Sequence, residues 1–338
     1  MKRTSPSRNP GELALIEAIR RQAASAPQPA SLRLGIGDDC AILRPKPGHE
    51  ICVTTDFTLE GVHFRRDWHP PASVGHRCLA RGLSDLAAMG ARPIAVFLSI
   101  ALPEQLPSRW LDGFLRGFLD LAALHRAPMA GGDTAASVSG RIAADIVAIG
   151  EVPSGTALLR SSARPGDAIY VTGYLGGAAA ELRQLSRSPR RFSRAMQASP
   201  EHPHLYPDPR LAVGRRLRRL AANAAIDVSD GLSTDLTHLC EESGVAAVLE
   251  EALLPIHPLA RESPDALQLA LNGGEDYELL FTVRPTQRIP RSIAGVPLRR
   301  IGTIGRRRAG QPLILLKTID NRSLPIRAAG WQHFVRKR

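Results

Sequence analysis

Across Gly11 to Ala24, apolar residues recur at Leu13, Ile16, Ala18, Ile19 and Ala23, the spacing of a short amphipathic helix. The same reading predicts helices over Ser73 to Met89, Pro107 to His125, Gly176 to about Leu185, Arg210 to Ala222 and Leu232 to Ser243. β-Branched or alternating runs predict strands over Ile51 to Asp56, Pro93 to Leu102, Arg141 to Glu151, Ala168 to Thr172, Ala224 to Val228, Tyr277 to Val283 and Leu298 to Ile304. Helices and strands mix without a strict βαβ rhythm, which favours an α+β fold over a doubly wound sheet. The punctuated stretch Val152-Pro153-Ser154-Gly155 predicts a domain boundary, giving a polar leader at 1–10, an N-terminal domain at 11–152 and a C-terminal domain at 153–338. Leu185 to Pro209 is polar, basic and proline-bearing, and reads as a loop or mobile insert.

Composition agrees with two globular domains. The chain has 338 residues, against roughly 150 per domain. Its 43% hydrophobic and 22% charged content suits a soluble protein with real cores. No apolar run approaches the roughly 18 residues of a membrane span, and no apolar segment follows the basic Met1 to Pro10, so a cytoplasmic protein is expected. Cys40, Cys52, Cys78 and Cys240 form no CxxC pair, which argues against zinc or redox chemistry. The net charge of +12 raises the question of nucleic acid. The arginines are spread along the chain and aromatics are only 4%, so the stacking platform of a single-strand binder is missing. The plainer reading of the charge is a general bias toward arginine plus sites for phosphorylated ligands.

The informative chemistry is a series of acids set among small residues beside apolar strands. They are Gly35-Ile36-Gly37-Asp38-Asp39, Thr54-Thr55-Asp56, Leu83-Ser84-Asp85, Gly131-Gly132-Asp133-Thr134, Asp227-Val228-Ser229-Asp230-Gly231 and Gly273-Gly274-Glu275-Asp276. Each alone reads as a turn or a helix cap. Together they ask for a counter-charge, because carboxylates gathered at one place repel unless cations lie between them. All-oxygen donors suit Mg²⁺. The glycines let a ligand approach the backbone, and turn or helix-start N–H groups hold phosphate oxygens. Asp85 falls on the apolar side of its helix and needs a partner there. The GxxxxGK[ST] loop and the kinase glycine loop are both absent from the sequence. His63 reads by default as a packed histidine, Arg160 as a solvated charge and Trp331 as a packing anchor.

In this order the motifs resemble the thiamine-monophosphate kinase family, in the superfamily of aminoimidazole ribonucleotide synthetase and selenophosphate synthetase. The likeness runs from Gly11-Glu12 to Trp331-Gln332-His333-Phe334 and includes Gly61-Val62-His63-Phe64, Arg160 to Asp167 and Gly273 to Leu279. It implies an N-terminal α/β domain whose strands pair across a homodimer, and a C-terminal α/β domain. It implies ATP-dependent phosphorylation of thiamine monophosphate to thiamine diphosphate. By the same likeness Asp39, Thr54, Thr55, Asp56, Asp85, Asp133, Asp227 and Asp230 bind several Mg²⁺ ions. Gly132, Asp133, Arg160 and Ser229 contact ATP, and His63, Glu275 and Trp331 hold the substrate. No catalytic side chain is implied beyond the metal cluster. Direct in-line transfer is then expected, and loss of one crowded carboxylate should relieve repulsion in the metal-free protein. Gly82 and Leu13 depart from the family, which often has Asn and Phe there. The rivals are another synthetase of the superfamily and a nucleic-acid module. Cys40 has no adjacent Lys, unlike a selenophosphate synthetase.

Overall fold

The computed structural model of the chain describes residues 12–24, 29–37, 39–189, 199 and 201–331. The expected leader at 1–10, Asp38, the 190–198 part of the basic stretch and the Gln332-His333-Phe334 end of the family likeness lie outside these residues. Two compact units share the chain. The first takes in the described residues up to Leu86, Arg92–Ser154 and the described residues of 185–200; the second takes in Ala87–Ala91, Gly155–Gln184 and the described residues from Glu201 on. Both are α/β units with mixed sheets.

The first unit contains α1 (Glu12–Ala24), β1 (Leu32–Leu34), β2 (Ile42–Leu43), β3 (His49–Leu59), α2 (Pro71–Ala88), β4 (Arg92–Leu102), α3 (Ser108–His125), β5 (Met129–Ala136) and β6 (Ala143–Pro153). Among the described residues its four-stranded sheet has the order β3-β6-β4-β5. β6 pairs antiparallel with β3 and β4, while β5 returns parallel to β4 after α3, a crossover that parallel strands require. The helices α2 and α3 cross backbone to backbone. A Cβ on Gly75 would lie 1.9 Å from Phe114 O, and one on Gly117 1.9 Å from Ala72 O. Around the crossing Leu79, Leu83, Ile94, Leu98, Phe114, Phe118 and Ile146 are buried. Strand alternation sends Thr54, Asp56 and Thr58 of β3 toward α2 and leaves Ile51, Val53 and Phe57 on the other face, 43%, 60% and 59% exposed.

The second unit contains β7 (Ala168–Thr172), α4 (Gly177–Arg187), α5 (Leu211–Arg219), β8 (Ala224–Val228), α6 (Leu232–Ser243), β9 (Val245–Glu250), α7 (Pro258–Arg261), α8 (Ala266–Asn272), β10 (Glu278–Val283), β11 (Ser292–Ile293), β12 (Val296–Arg306), β13 (Ile314–Lys317) and β14 (Ser323–Ile326). The sheet order is β14-β13-β9-β12-β7-β10-β8, with β11 attached to β12. Leu232, Leu236, Leu239 and Cys240 of α6 pack on Ile169, Val171, Ile226, Val228 and Leu280. The period-3.6 stripe of α6 therefore meets strands that are apolar on the facing side.

Two expectations need correction. The stretch from Leu185 is not wholly a loop: α4 continues to Arg187, and His204, Leu205 and Tyr206 are buried. The buried Glu181 carboxylate accepts N–H bonds from His204 (2.7 Å) and Leu205 (3.2 Å), which turns a polar segment into a packed one. The Ile51 to Asp56 strand is longer, because pairing with β6 continues to His49 and Leu59.

Candidate active site

In the first unit, Cys78, Arg81 and Asp85 lie at the i, i+3, i+7 spacing that shares one helix face. They meet the inward side chains of β3 in reverse order. Cys78 stands by Thr58, and burial pushes its thiol up to about 12. Arg81 Nε lies 3.0 Å from Asp56 Oδ1, at ion-pair distance but too oblique for a well-formed hydrogen bond. Thr54 Oγ1 donates to Asp85 Oδ2 at 2.5 Å. Asp85 thus finds the partner its position demanded.

The other candidates of this unit are not gathered there. Thr55 is exposed on the opposite face of β3, one residue out of phase with Thr54 and Asp56. Asp133 is exposed on β5, in register with Ser99, and its Oδ1 accepts the Thr134 N–H at 2.8 Å. Gly132 beside it is exposed too. Asp39 is exposed in the turn between β1 and β2. His63 Nδ1 accepts the Leu59 N–H at 3.0 Å, so the neutral ring carries its proton on the buried Nε2.

The second unit brings its candidates together around the turn from β8 into α6. Asp227 is buried on β8 opposite Leu279, and Ser229 and Asp230 follow in the turn. Gly231 begins the helix at φ 112°, a left-handed value that a side chain would strain. Asp235, in the first turn of α6, accepts the N–H groups of Asp230 (3.1 Å) and Gly231 (3.0 Å). Burial first, then Asp227 and Asp230, push the Asp235 carboxyl up to about 8.

Two segments close on this turn. Glu275 N donates to Ser229 O at 2.7 Å and Tyr277 N to Val228 O at 2.9 Å. Glu275 (φ 68°) and Tyr277 (φ 50°) both hold positive φ, which costs non-glycine residues about 1–3 kcal/mol each. The intervening Asp276 turns inward, accepts N–H bonds from Gly176 (2.6 Å) and Ala178 (3.1 Å), and is pushed up to about 7, chiefly by burial. From the other side Trp331 N donates to Asp230 O at 3.0 Å. The preceding Gly330 has no room for a side chain, since its Cβ would lie 1.9 Å from that same oxygen. Trp331 itself is 45% exposed. Arg160 is exposed in a short 3₁₀ turn tied by its carbonyl to Ser243 Oγ at 2.6 Å.

The donors in both units are hard oxygens, which fit Mg²⁺ and not zinc. The upward push that Asp227 and Asp230 add to burial at Asp235 is the electrostatics of carboxylates set close together without a cation between them. Among the described residues no group of three or more His, Cys, Asp or Glu is close enough to hold a metal ion by itself.

Sequence reasoning missed Arg81, Asp235 and the positioning role of Asp276. An acid in the first turn of a helix was the available signal for Asp235. Nothing along the chain marks Arg81 as the neighbour of Asp56.

Residues 37–152 match the family model of the AIR synthase related protein N-terminal domain, and residues 164–315 that of the C-terminal domain. The thiamine-monophosphate kinase of Escherichia coli (strain K12) is 42% identical over 281 residues, covering 80% of this chain and 84% of that protein. The crystal structure of thiamine-monophosphate kinase from Stenotrophomonas maltophilia K279a is 37% identical, with a TM-score of 0.77 over 93% of this chain and 98% of that one. AaThiL complexed with AMPPCP and TMP is 27% identical, with a TM-score of 0.73 over 98% and 100% of the two chains. The chain belongs to the thiamine-monophosphate kinase family, within the AIR synthase related proteins.

Proposed function

We propose that this chain carries out the reaction its family is named for, transferring the γ-phosphate of ATP to thiamine monophosphate to give thiamine diphosphate. The observation that carries the reading is the meeting of Glu275 and Trp331 on the Ser229–Gly231 turn, in a chain of this family. An exposed indole suits a cationic ring, and a carboxylate suits the same ring or its amino substituent.

The acceptor is a phosphate monoester whose second pKa lies near 6, roughly, so it is ionised at about pH 7 and needs no general base. The obstacle is repulsion between two anions, and positioning and charge neutralisation remove it. Mg²⁺, when bound, supplies that neutralisation. Asp39, Thr54, Thr55, Asp56, Asp85, Asp133, Asp227 and Asp230 would hold the ions. Asp133 with Gly132, Arg160 and Ser229 would face ATP, and His63 would join Glu275 and Trp331 on the substrate. Ser229 stands at the start of α6, where N–H groups and the helix dipole favour phosphate oxygens. Transfer is direct and in line, with no phosphorylated residue.

The chain acts as a cytoplasmic homodimer without nucleic acid. The exposed face of β3, an edge strand carrying Ile51, Val53 and Phe57, supports pairing with a second copy. Among the described residues no helix is long and apolar enough to cross a membrane.

The test is ADP formation with thiamine monophosphate, with unphosphorylated thiamine as control, in Mg²⁺ and in EDTA. ADP is expected only with the monophosphate and Mg²⁺. Silence with the monophosphate would move the assignment to a synthetase of the superfamily, and a phosphorylated residue trapped in turnover would refute direct transfer.

A further inference from the structure

Glu275 does not stand alone in the second unit. Its Oε2 lies 3.2 Å from His204 Nδ1, an ion-pair distance at an oblique angle. The His204 side chain is 1% exposed and that of Glu275 is 22% exposed, so the contact joins a buried group to one that reaches the surface. The backbone of His204 is itself held, and so are its neighbours in the chain. The Glu181 carboxylate on α4 is 1% exposed and accepts the backbone N–H of His204 at 2.7 Å and that of Leu205 at 3.2 Å. The same carboxylate meets His202 Nδ1 at 2.6 Å, and Tyr206 N closes the loop on His202 O at 2.8 Å. A buried carboxylate with this many donors is a rigid anchor. It fixes the loop, the loop fixes the ring, and the ring faces Glu275. The backbone of Glu275 is pinned from the other side, by its N–H on Ser229 O and by a left-handed φ of 68°.

We propose that His204 is a positioning residue for acceptor recognition: by standing fixed 3.2 Å from one oxygen of Glu275, its ring limits how that carboxylate can turn and aims the other oxygen at the electropositive part of the substrate. The inference rests on the reading of Glu275 as a substrate contact. A carboxylate on a freely turning side chain loses rotamer freedom when it binds, whereas one already held does not. The assembly Glu181–His204–Glu275 makes that preorganisation part of the fold. It acts on the acceptor alone, because ATP is read by other groups.

The test uses two amides that place a donor differently. In His204→Asn the amide nitrogen falls near the site of Nδ1, and in His204→Gln near that of Nε2. H204Q is expected to raise KM for thiamine monophosphate about tenfold, with KM for ATP unchanged, and H204N to stay within about threefold of the parent. In a Glu275→Gln background H204Q should add nothing, since coupled residues are non-additive. Circular dichroism and a thermal melt establish that each variant is folded; if H204Q is not, His204→Ala removes the same donor and should match its expected KM. Equal effects of H204N and H204Q, equal changes for both substrates, or additivity with E275Q would overturn the proposal. If E275Q itself leaves KM for thiamine monophosphate unchanged, the substrate reading of Glu275 falls. If E275Q is impaired and H204Q or H204A is not, the role of His204 alone falls.

Discussion

Arg81 Nε stands 3.0 Å from Asp56 Oδ1, so the first unit supplies its own cation to one of the carboxylates expected to bind Mg²⁺. The sequence-based expectation that losing this charge relieves the metal-free protein therefore changes sign. Asp56→Asn removes a partly buried partner of Arg81 and should cost about 1 kcal/mol, read in thermal melts with EDTA. Asp133→Asn, exposed on β5, should change stability by less than about 0.5 kcal/mol. Both should lower turnover about a hundredfold or more at limiting Mg²⁺. Full activity of both would refute their place among the ligands.

Asp235 holds the N–H groups of Asp230 and Gly231 without being one of the expected ligands. Asp235→Ala should leave both donors unsatisfied and loosen the turn. The Mg²⁺ concentration for half-maximal activity should rise about tenfold, because the turn loses both of these hydrogen bonds. A Mg²⁺ titration of the initial rate decides it, and an unchanged midpoint would show that the turn keeps its shape without Asp235.

The backbone contact of α2 and α3 leaves no room at Gly117, where a Cβ would come within 1.9 Å of Ala72 O. Gly117→Ala should destabilise by about 3 kcal/mol, because a backbone oxygen cannot swing aside as a side chain can. Chemical denaturation with an unchanged m value would confirm it; a neutral substitution would mean that the helices part without cost.

Burial lets folded Asp276 keep its proton to about pH 7, against an ordinary value of 3.8. Between these values the native state binds a proton that the unfolded chain has released. Stability from this group is complete below about pH 4 and is lost as pH rises toward 7, at about 1.4 kcal/mol per pH unit. Above 7 its contribution is flat. Denaturation of the parent and of Asp276→Asn at several pH values should show this slope in the difference between the two stability curves, and a parallel pair of curves would contradict the shift.

Val53 and Phe57 project from β3 at 60% and 59% exposure. If this face pairs two copies, Val53→Asp together with Phe57→Asp should give a monomer in sedimentation velocity, with helix content unchanged. A dimer surviving both charges would place the interface elsewhere.

Much of the fold was legible along the chain. The helix at Leu232–Ser243 and the strands at Ala168–Thr172 and Ala224–Val228 fall where periodicity puts them, because each buries one continuous apolar face. Strand β5 escaped, since Met129 to Ala136 is mostly glycine and alanine around Asp133 and Thr134 and has no period to read. Strands β13 and β14 escaped because four residues are too few to show one.

The order of acidic motifs in the sequence was enough by itself to place the chain in its family, since residue identity and spacing are properties of the chain. Which acids face which neighbours was decided only by tertiary structure. Alternation along β3 parts Thr55 from Thr54 and Asp56, and the passing of α2 brings Arg81 to Asp56 and Asp85 to Thr54. The union of Glu275, Trp331 and the Ser229–Gly231 turn joins segments far apart in the chain. Contacts of that range depend on how the sheet and helices close around a core, and local pattern carries no record of them.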